Sequence, residues 1–296
     1  MKPTSAAHLE YPRAGVTRQV TDRERENYAR DGAAILKGVI PLEWVEYMRM
    51  AVDRLLARSD PSSQNYADEG QPRFFAQAFP WLSDDGFRAW ALYGPLKQIA
   101  RQVMPDVRHL NFFYDQIFVK EPGGIKATPW HQDFPYLPIA GDQILRIWVP
   151  FDPVSADAGA VQYLKGSHRW GVVYHPTGFK AVSEITDAYR ESPFQDQPDF
   201  DDEYDRHEWL VGEAEPGDAL LHHPRTVHGS PGNSTASFRR AVASIYAGDK
   251  VTWNPHSANM FNNKSLTGHV EPPNLAAGGP IDCPLFPRVW PEAGTR

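Results

Sequence analysis

The sequence predicts a mainly β domain, a sandwich or barrel, with helices flanking it. Two observations carry that prediction. From Leu110 onward the chain breaks into short apolar runs punctuated by Pro, Gly and Asp, the spacing of strands and turns. Ahead of Leu110 the apolar residues recur at helical intervals instead. No long Gly/Ser-rich or charged linker divides the 296 residues. A single domain is therefore expected over residues 21–296, with a helical part at 21–108, a β core at 110–250 and a tail at 251–296.

Residues 1–20 mix polar residues with Pro and Gly and read as a flexible N-terminal arm. Thr21 and Glu24 have the spacing of a capping box, so a polar helix follows to about Arg30. Gly32 to Ile40 reads as a short strand. Pro41 suits the first turn of a helix running to about Ser59, with Trp44, Met48, Val52 and Leu55 on one face. Further helical stretches fall near 82–92 and 94–104. The candidate strands of the β region are 110–120, 143–151, 159–164, 208–213, 218–223 and 238–247. An acidic, proline-containing insertion at 181–207 reads as a solvated loop or, given its length, a lid over a cavity. The tail after Val251, rich in Pro, Asn and Gly, is expected to wrap the outside of the domain.

Composition narrows the function classes. Aromatic residues make up 12% of the chain, with 9 Trp, which points to a sizeable core and an aromatic-lined cavity. A net charge of -7, with no Lys/Arg stripe, argues against a nucleic-acid partner. The one cysteine, Cys283, excludes an internal disulfide framework and a thiolate zinc cluster. Met1 to Val20 lacks the apolar stretch of a secretory signal, and no segment approaches the roughly 20 apolar residues of a membrane span. A soluble, cytoplasmic protein is expected.

The chemistry concentrates in Trp130-His131-Gln132-Asp133 and, further along, in His223-Pro224-Arg225-Thr226-Val227-His228-Gly229-Ser230. On an extended strand, residues two apart project to the same side, so His131 and Asp133 can reach one ion. A histidine from a distant strand would complete a two-histidine, one-carboxylate face and leave the opposite coordination positions open. That arrangement suits Fe(II) binding a co-substrate and O₂ together. A structural zinc site would usually close its fourth position with another protein ligand. Any of His168, His222, His223 and His228 could in principle supply the second imidazole.

Four segments, in this order, resemble the phytanoyl-CoA dioxygenase family of Fe(II)/2-oxoglutarate oxygenases. They are Lys120-Glu121-Pro122-Gly123; Trp130 to Tyr136; Gly159-Ala160-Val161 leading to Gly166-Ser167-His168; and His228 to Asn233, closed by Phe238-Arg239-Arg240-Ala241. The resemblance implies a double-stranded β-helix, a cupin-like jelly roll, with Fe(II) as cofactor and 2-oxoglutarate and O₂ as co-substrates. It implies His131, Asp133 and His228 as ligands, with His223 the main rival and His168 and His222 structural or supporting. It also implies that Arg239, eleven residues after His228, receives the distal carboxylate of 2-oxoglutarate, for which a guanidinium fork is suited. Ser230 and Lys120 would assist, and Trp148 would lie beside the co-substrate. Arg240 should face the other side of the strand.

The implied activity is oxidation, in the simplest case hydroxylation, of an unactivated C–H bond in a small natural-product or lipid-like molecule. 2-Oxoglutarate is converted to succinate and CO₂. Hydroxylation of amino acids or acyl-CoA thioesters is the alternative. Asp133 argues against a halogenase, which carries Gly or Ala in its place. A non-catalytic metal-binding β-sandwich relative would not need the whole ligand set, and a zinc hydrolase would leave Arg239 and Ser230 unexplained. Phe112, Tyr114, Phe118, Phe134 and Tyr136 are expected to wall an apolar pocket. Arg146, two residues before Trp148, should point into it. There it either pairs with an acid such as Asp115 or Asp142, or anchors an anionic group of the substrate.

Overall fold

Thr21 accepts a hydrogen bond from the Glu24 amide while the Glu24 carboxylate accepts from the Thr21 amide, and this reciprocal cap starts helix α1, Asp22–Asp31. Gly32, at φ 74°, ends the helix in a conformation that a side chain would disfavour. The computed structural model describes residues 10–58, 60, 62–179, 191–268 and 270–291. Strand β1, Ala33–Leu36, is shorter than its apolar run, because the chain turns at Lys37 and Gly38. Helix α2, Leu42–Leu56, buries Trp44, Val45, Met48, Ala51, Val52 and Leu55 on one face. Asp84 caps helix α3, Asp85–Tyr93, through the Gly86 and Phe87 amides, and α4, Leu96–Val103, follows. Trp44 of α2 meets Trp90 of α3 edge to face at 5.6 Å.

Residues 1–9 of the expected arm lie outside the described residues. Residues 10–20 do not stand free: Tyr11 stacks on Tyr93 at 5.0 Å, and the Trp44 indole donates to the Ala14 carbonyl.

The strands are β2 (Ser63–Asn65), β3 (Phe74–Ala78), β4 (Leu110–Lys120), β5 (Thr128–His131), β6 (Ile139–Ala140), β7 (Ile144–Pro150) and β8 (Val161–Leu164). They continue with β9 (Trp209–Gly212), β10 (Ala219–His222), β11 (His228–Ser230), β12 (Arg239–Gly248), β13 (Thr252–Trp253) and β14 (Arg288–Trp290). A major antiparallel sheet runs β1-β10-β7-β12-β4-β3-β2, with β14 added to β4; a minor one runs β5-β11-β8-β9; and β6 pairs with β13. The outer face of the major sheet, with Ile147, Val149, Leu221 and Val242, shares one apolar core with α2, α3 and α4. Its inner face, with Trp148, Leu220, Ala241 and Ala243, meets Val161 and Tyr163 of the minor sheet. This is the double-stranded β-helix that the resemblance implied, and the functional residues lie between its two layers.

The expectation for the tail changes. The tail does more than wrap the outside: β14 joins the major sheet and fully buried Phe286 stacks on Phe113 at 4.3 Å. Of the acidic insertion, residues 181–190 lie outside the described residues. In its described part, Phe200 is buried, and Asp201 accepts a hydrogen bond from the Trp130 indole at 2.7 Å. Among the described residues no helix is long and apolar enough to cross a membrane.

Candidate active site

β5 and β11 are neighbours in the minor sheet, and their register sets His131 directly opposite His228. The two rings lie 4.1 Å apart. His131 Nδ1 sits 2.8 Å from the Pro129 carbonyl, and His228 Nδ1 sits 2.9 Å from that of Thr226. A carbonyl only accepts, so both rings are held as Nδ1–H tautomers with a lone pair on Nε2. Those Nε2 atoms lie 3.7 Å and 3.8 Å from one oxygen, Asp133 Oδ1. The three ligand atoms lie within 4.8 Å of one another, and all three side chains are buried. Close packing of Gly229 keeps β11 against β5: a Cβ there would come within 2.8 Å of the Trp130 ring.

Asp133 reaches this point by a different route from the one its spacing predicts. β5 ends at His131, and Asp133 has helical backbone angles ahead of the short 3-10 turn Phe134–Tyr136. Strand alternation therefore does not align it with His131. Instead its amide is anchored on the Pro224 carbonyl at 2.8 Å, in the loop between β10 and β11.

Both carboxylate oxygens of Asp133 carry hydrogen bonds. Arg146 Nη1 donates to Oδ1 at 2.6 Å, and His222 Nε2 lies 2.8 Å from Oδ2. Burial alone would push the Asp133 carboxyl up; the Arg146 guanidinium, then the neighbouring His228 and the hydrogen bond from His222, hold it well below the usual carboxylate range. Burial, then neighbouring His131, holds His228 well below the ordinary imidazole value. Burial likewise lowers His222. An ionised Asp133 and a neutral His228 are the protonation states that a metal requires.

A second constellation lies on the inner face of the major sheet, where Arg239 of β12 pairs in register with Lys120 of β4. Both side chains are buried, and among the described residues neither has an ion-pair partner. Arg239 gives one hydrogen bond to the Gly159 carbonyl at 3.0 Å, its Nε has no partner, and its guanidinium lies 5.4 Å from the Trp148 ring centre. Lys120 Nζ donates to Ser230 Oγ at 3.0 Å and to the Pro231 carbonyl at 2.6 Å. Burial lowers Arg239 to about 10; burial, then the charge of Arg239, pushes Lys120 well below its ordinary value. Two cations buried without a counter-charge, one with an orphaned donor, fit an anion. Arg240 points the other way, into Asp152 and Asp53.

Between these constellations lies a cavity of about 80 Å³. Trp148, Phe118, Tyr136 and Tyr114 line it, as do Arg146, Ser230 and Arg239. Other expectations are corrected. Phe134 does not line it and lies instead under the Arg225 guanidinium at 4.1 Å, because the 3-10 turn sends it away from Tyr136. Phe112 also leaves the pocket face. A register shift opposite Ile245 and Tyr246 reverses the alternation of β4, and Phe112 packs on Trp81 and Tyr246. Arg146 pairs with Asp133, not with Asp115 or Asp142. His223 is turned off the cavity and its Nδ1 accepts from the Arg225 amide, while His168 packs near it at 5.7 Å. His222, the strand neighbour of His223, is the one that faces inward.

Several lining residues escaped the sequence reading. Gln116 could have been found by alternation with Tyr114 and Phe118 on β4. Phe179, whose ring meets His131 at 4.9 Å, and Met260 and Leu266 of the tail carried no local signal.

A jelly roll that presents two imidazoles and one carboxylate to a common point, with the remaining directions open to a cavity, has the architecture of the non-haem iron oxygenases. The phytanoyl-CoA dioxygenase (PhyH) family profile matches residues 28–241, and the chain belongs to that family. It is 30% identical to a probable phytanoyl-CoA dioxygenase of Caenorhabditis elegans over 147 residues, 48% of this chain and 44% of the nematode protein. With the peroxisomal phytanoyl-CoA dioxygenase of Homo sapiens it shares 23% identity over 246 residues, 77% of this chain and 68% of the human one. The matched stretch thus spans less than half of the nematode relative. The solved structure of the epimerase SnoN, in complex with Fe3+, α-ketoglutarate and nogalamycin RO, is similar at a TM-score of 0.70 and 23% identity, covering 90% of this chain and 98% of that one.

Proposed function

We propose that this protein is an Fe(II)- and 2-oxoglutarate-dependent dioxygenase that hydroxylates, or otherwise oxidises, an unactivated C–H bond of a small organic molecule. The observation that carries the reading is the pairing of two sites across one cavity. One side holds three facing ligand atoms, and the other holds two buried cations with no counter-charge. Family membership supports it, as does likeness to an enzyme solved with iron and α-ketoglutarate. Bound iron would supply the activation of O₂, coupled to decarboxylation of 2-oxoglutarate to succinate and CO₂. His131, Asp133 and His228 would hold the metal through Nε2, Oδ1 and Nε2. Arg239 would take the distal carboxylate of 2-oxoglutarate, with Lys120 and Ser230 beside it and the Trp148 ring as a flat wall. Tyr136 and Phe118 would pack on the substrate and exclude water.

The test is iron-dependent succinate release, run beside Fe(II) titration. Replacing His131, Asp133 or His228 by Ala abolishes release. It also weakens Fe(II) binding beyond the roughly ten- to hundredfold that outer-shell partners cost. His223→Ala keeps most of both. A His228→Ala protein that still coupled 2-oxoglutarate loss to product would reassign the ligand, and zinc-supported turnover without succinate would make the protein a hydrolase.

A further inference from the structure

Arg146 is the charged group in the cavity that the iron and 2-oxoglutarate reading does not use. The cavity walls carry two guanidinium groups, Arg146 and Arg239, against one carboxylate, Asp133. A divalent metal and dianionic 2-oxoglutarate cancel each other, and Lys120 adds a third cation beside Ser230, so the loaded site keeps net positive charge without a counter-charge. Low-dielectric surroundings make that charge costly to leave unpaired.

The remaining donors gather on one wall. Arg146 Nη1 is committed to Asp133 and Nη2 donates to Gln116 Oε1 at 3.2 Å, which turns the Gln116 amide into a donor through Nε2. Among the described residues nothing accepts from Gln116 Nε2 or from the Tyr114 hydroxyl, and both residues line the cavity. β4 and β7 flank β12, and Ile245 pairs with Tyr114 on one side and Arg146 on the other. The phenol and the guanidinium therefore rise on either side of one apolar residue. Across the cavity stand Tyr66, Phe74, Phe179, Leu137, Met260 and Leu266, a largely aromatic and aliphatic surface.

On the reading of the site as an iron and 2-oxoglutarate centre, we infer that the substrate is an anion. It is an apolar, ring-bearing skeleton with an ionised oxygen, a carboxylate or an acidic enol, received by Arg146 and Gln116. Because Arg146 also touches Asp133, the oxidised C–H bond lies close to that oxygen in the substrate. Arg146 and Gln116 thereby determine both selectivity and regiochemistry.

Calorimetry on the protein loaded with Fe(II) and 2-oxoglutarate under argon tests this with two matched pairs. These are 2-naphthoate against 2-naphthamide, and 4-hydroxycoumarin, an acidic enol, against 4-methoxycoumarin. The ionised member of at least one pair binds about tenfold more tightly or better than its neutral partner, and the pair with the larger ratio identifies carboxylate or enol. Arg146→Gln and Gln116→Glu each bring the ratio to within about twofold, whereas Arg146→Lys keeps part of it. Equal binding within both pairs, binding of no probe, or a ratio that survives in both Arg146→Gln and Gln116→Glu would overturn the inference. Iron-dependent 2-oxoglutarate binding, titrated in the same samples, separates the two levels. Where it is intact and the ratio is absent, only the anionic substrate fails; where it is absent from the wild type, the site assignment fails as well.

Discussion

Arg239 and Arg240 are consecutive in the chain and meet opposite surroundings. Arg239 is buried among aromatic rings with an orphaned Nε, while Arg240 is saturated by Asp152 and Asp53. Arg239→Ala therefore raises the 2-oxoglutarate Kd by about ten- to a hundredfold, the effect of losing a charge-assisted bidentate contact. The fold survives, because the side chain makes one hydrogen bond to protein. Arg240→Ala leaves that Kd within about twofold and costs on the order of 1–3 kcal/mol of stability, since the buried Asp152 carboxylate loses both guanidinium donors and keeps the residue-240 amide. Calorimetric titration of 2-oxoglutarate and urea denaturation of both variants measure the two effects. Interchanged outcomes would reverse the roles of these arginines.

Strand β4 is two-faced, and its outer face carries an unusual residue. Asp115 is fully buried opposite Ser244, with no described side chain donating to either carboxylate oxygen, and the Ser244 and Tyr246 hydroxyls nearby are also unpaired. Burial pushes its carboxyl well above the ordinary value, with backbone amides opposing only in part, so the folded protein keeps it protonated where the unfolded chain ionises. A folded value above the unfolded one gives stability that is fully present below the unfolded pKa and lost as pH rises through the folded pKa. Each pH unit between those values removes about 1.4 kcal/mol. Asp115→Asn keeps the shape and removes the proton equilibrium. Relative to that variant, the wild type loses stability between pH 5 and pH 8 in urea denaturation; identical pH slopes would place the Asp115 proton elsewhere.

Across the whole molecule, the site joins parts that the chain keeps apart. His131 and His228 come from the minor sheet, Arg239, Lys120 and Trp148 from the major sheet, Asp133 from a turn, and Met260 and Leu266 from the tail. Ligands that bind only this assembled arrangement stabilise all of it. At concentrations a hundredfold above their Kd, Fe(II) and 2-oxoglutarate each add about 2.7 kcal/mol, which raises Tm by several degrees. Chelation reverses the shift, and Asp133→Ala abolishes the part due to metal. An unchanged Tm in the wild type on adding both ligands would argue that they do not meet at this cavity.

The sequence by itself determined what bonded geometry controls. The capping box at Thr21 and Glu24 starts a helix, β4 and β12 run within a residue or so of their apolar patterns, and Arg239 and Arg240 diverge because neighbours on a strand must. The ordered motifs also brought His131, Asp133 and His228 to attention together. Only the tertiary structure decided how they meet. Asp133 converges with the histidines from a turn tied to Pro224, not by alternation, and inward-facing His222 reaches its second oxygen while His223 does not. Arg146 pairs with Asp133 of the turn after β5, not with Asp115 of β4 or with Asp142. A shift of register in β4 takes Phe112 out of the pocket that its period assigned to it. Alternation and capping act over a few bonds, so they are written locally. Partners across a jelly roll depend on the register of strands far apart in the chain and on where a bulge resets it, and those are set only when the sheets pair.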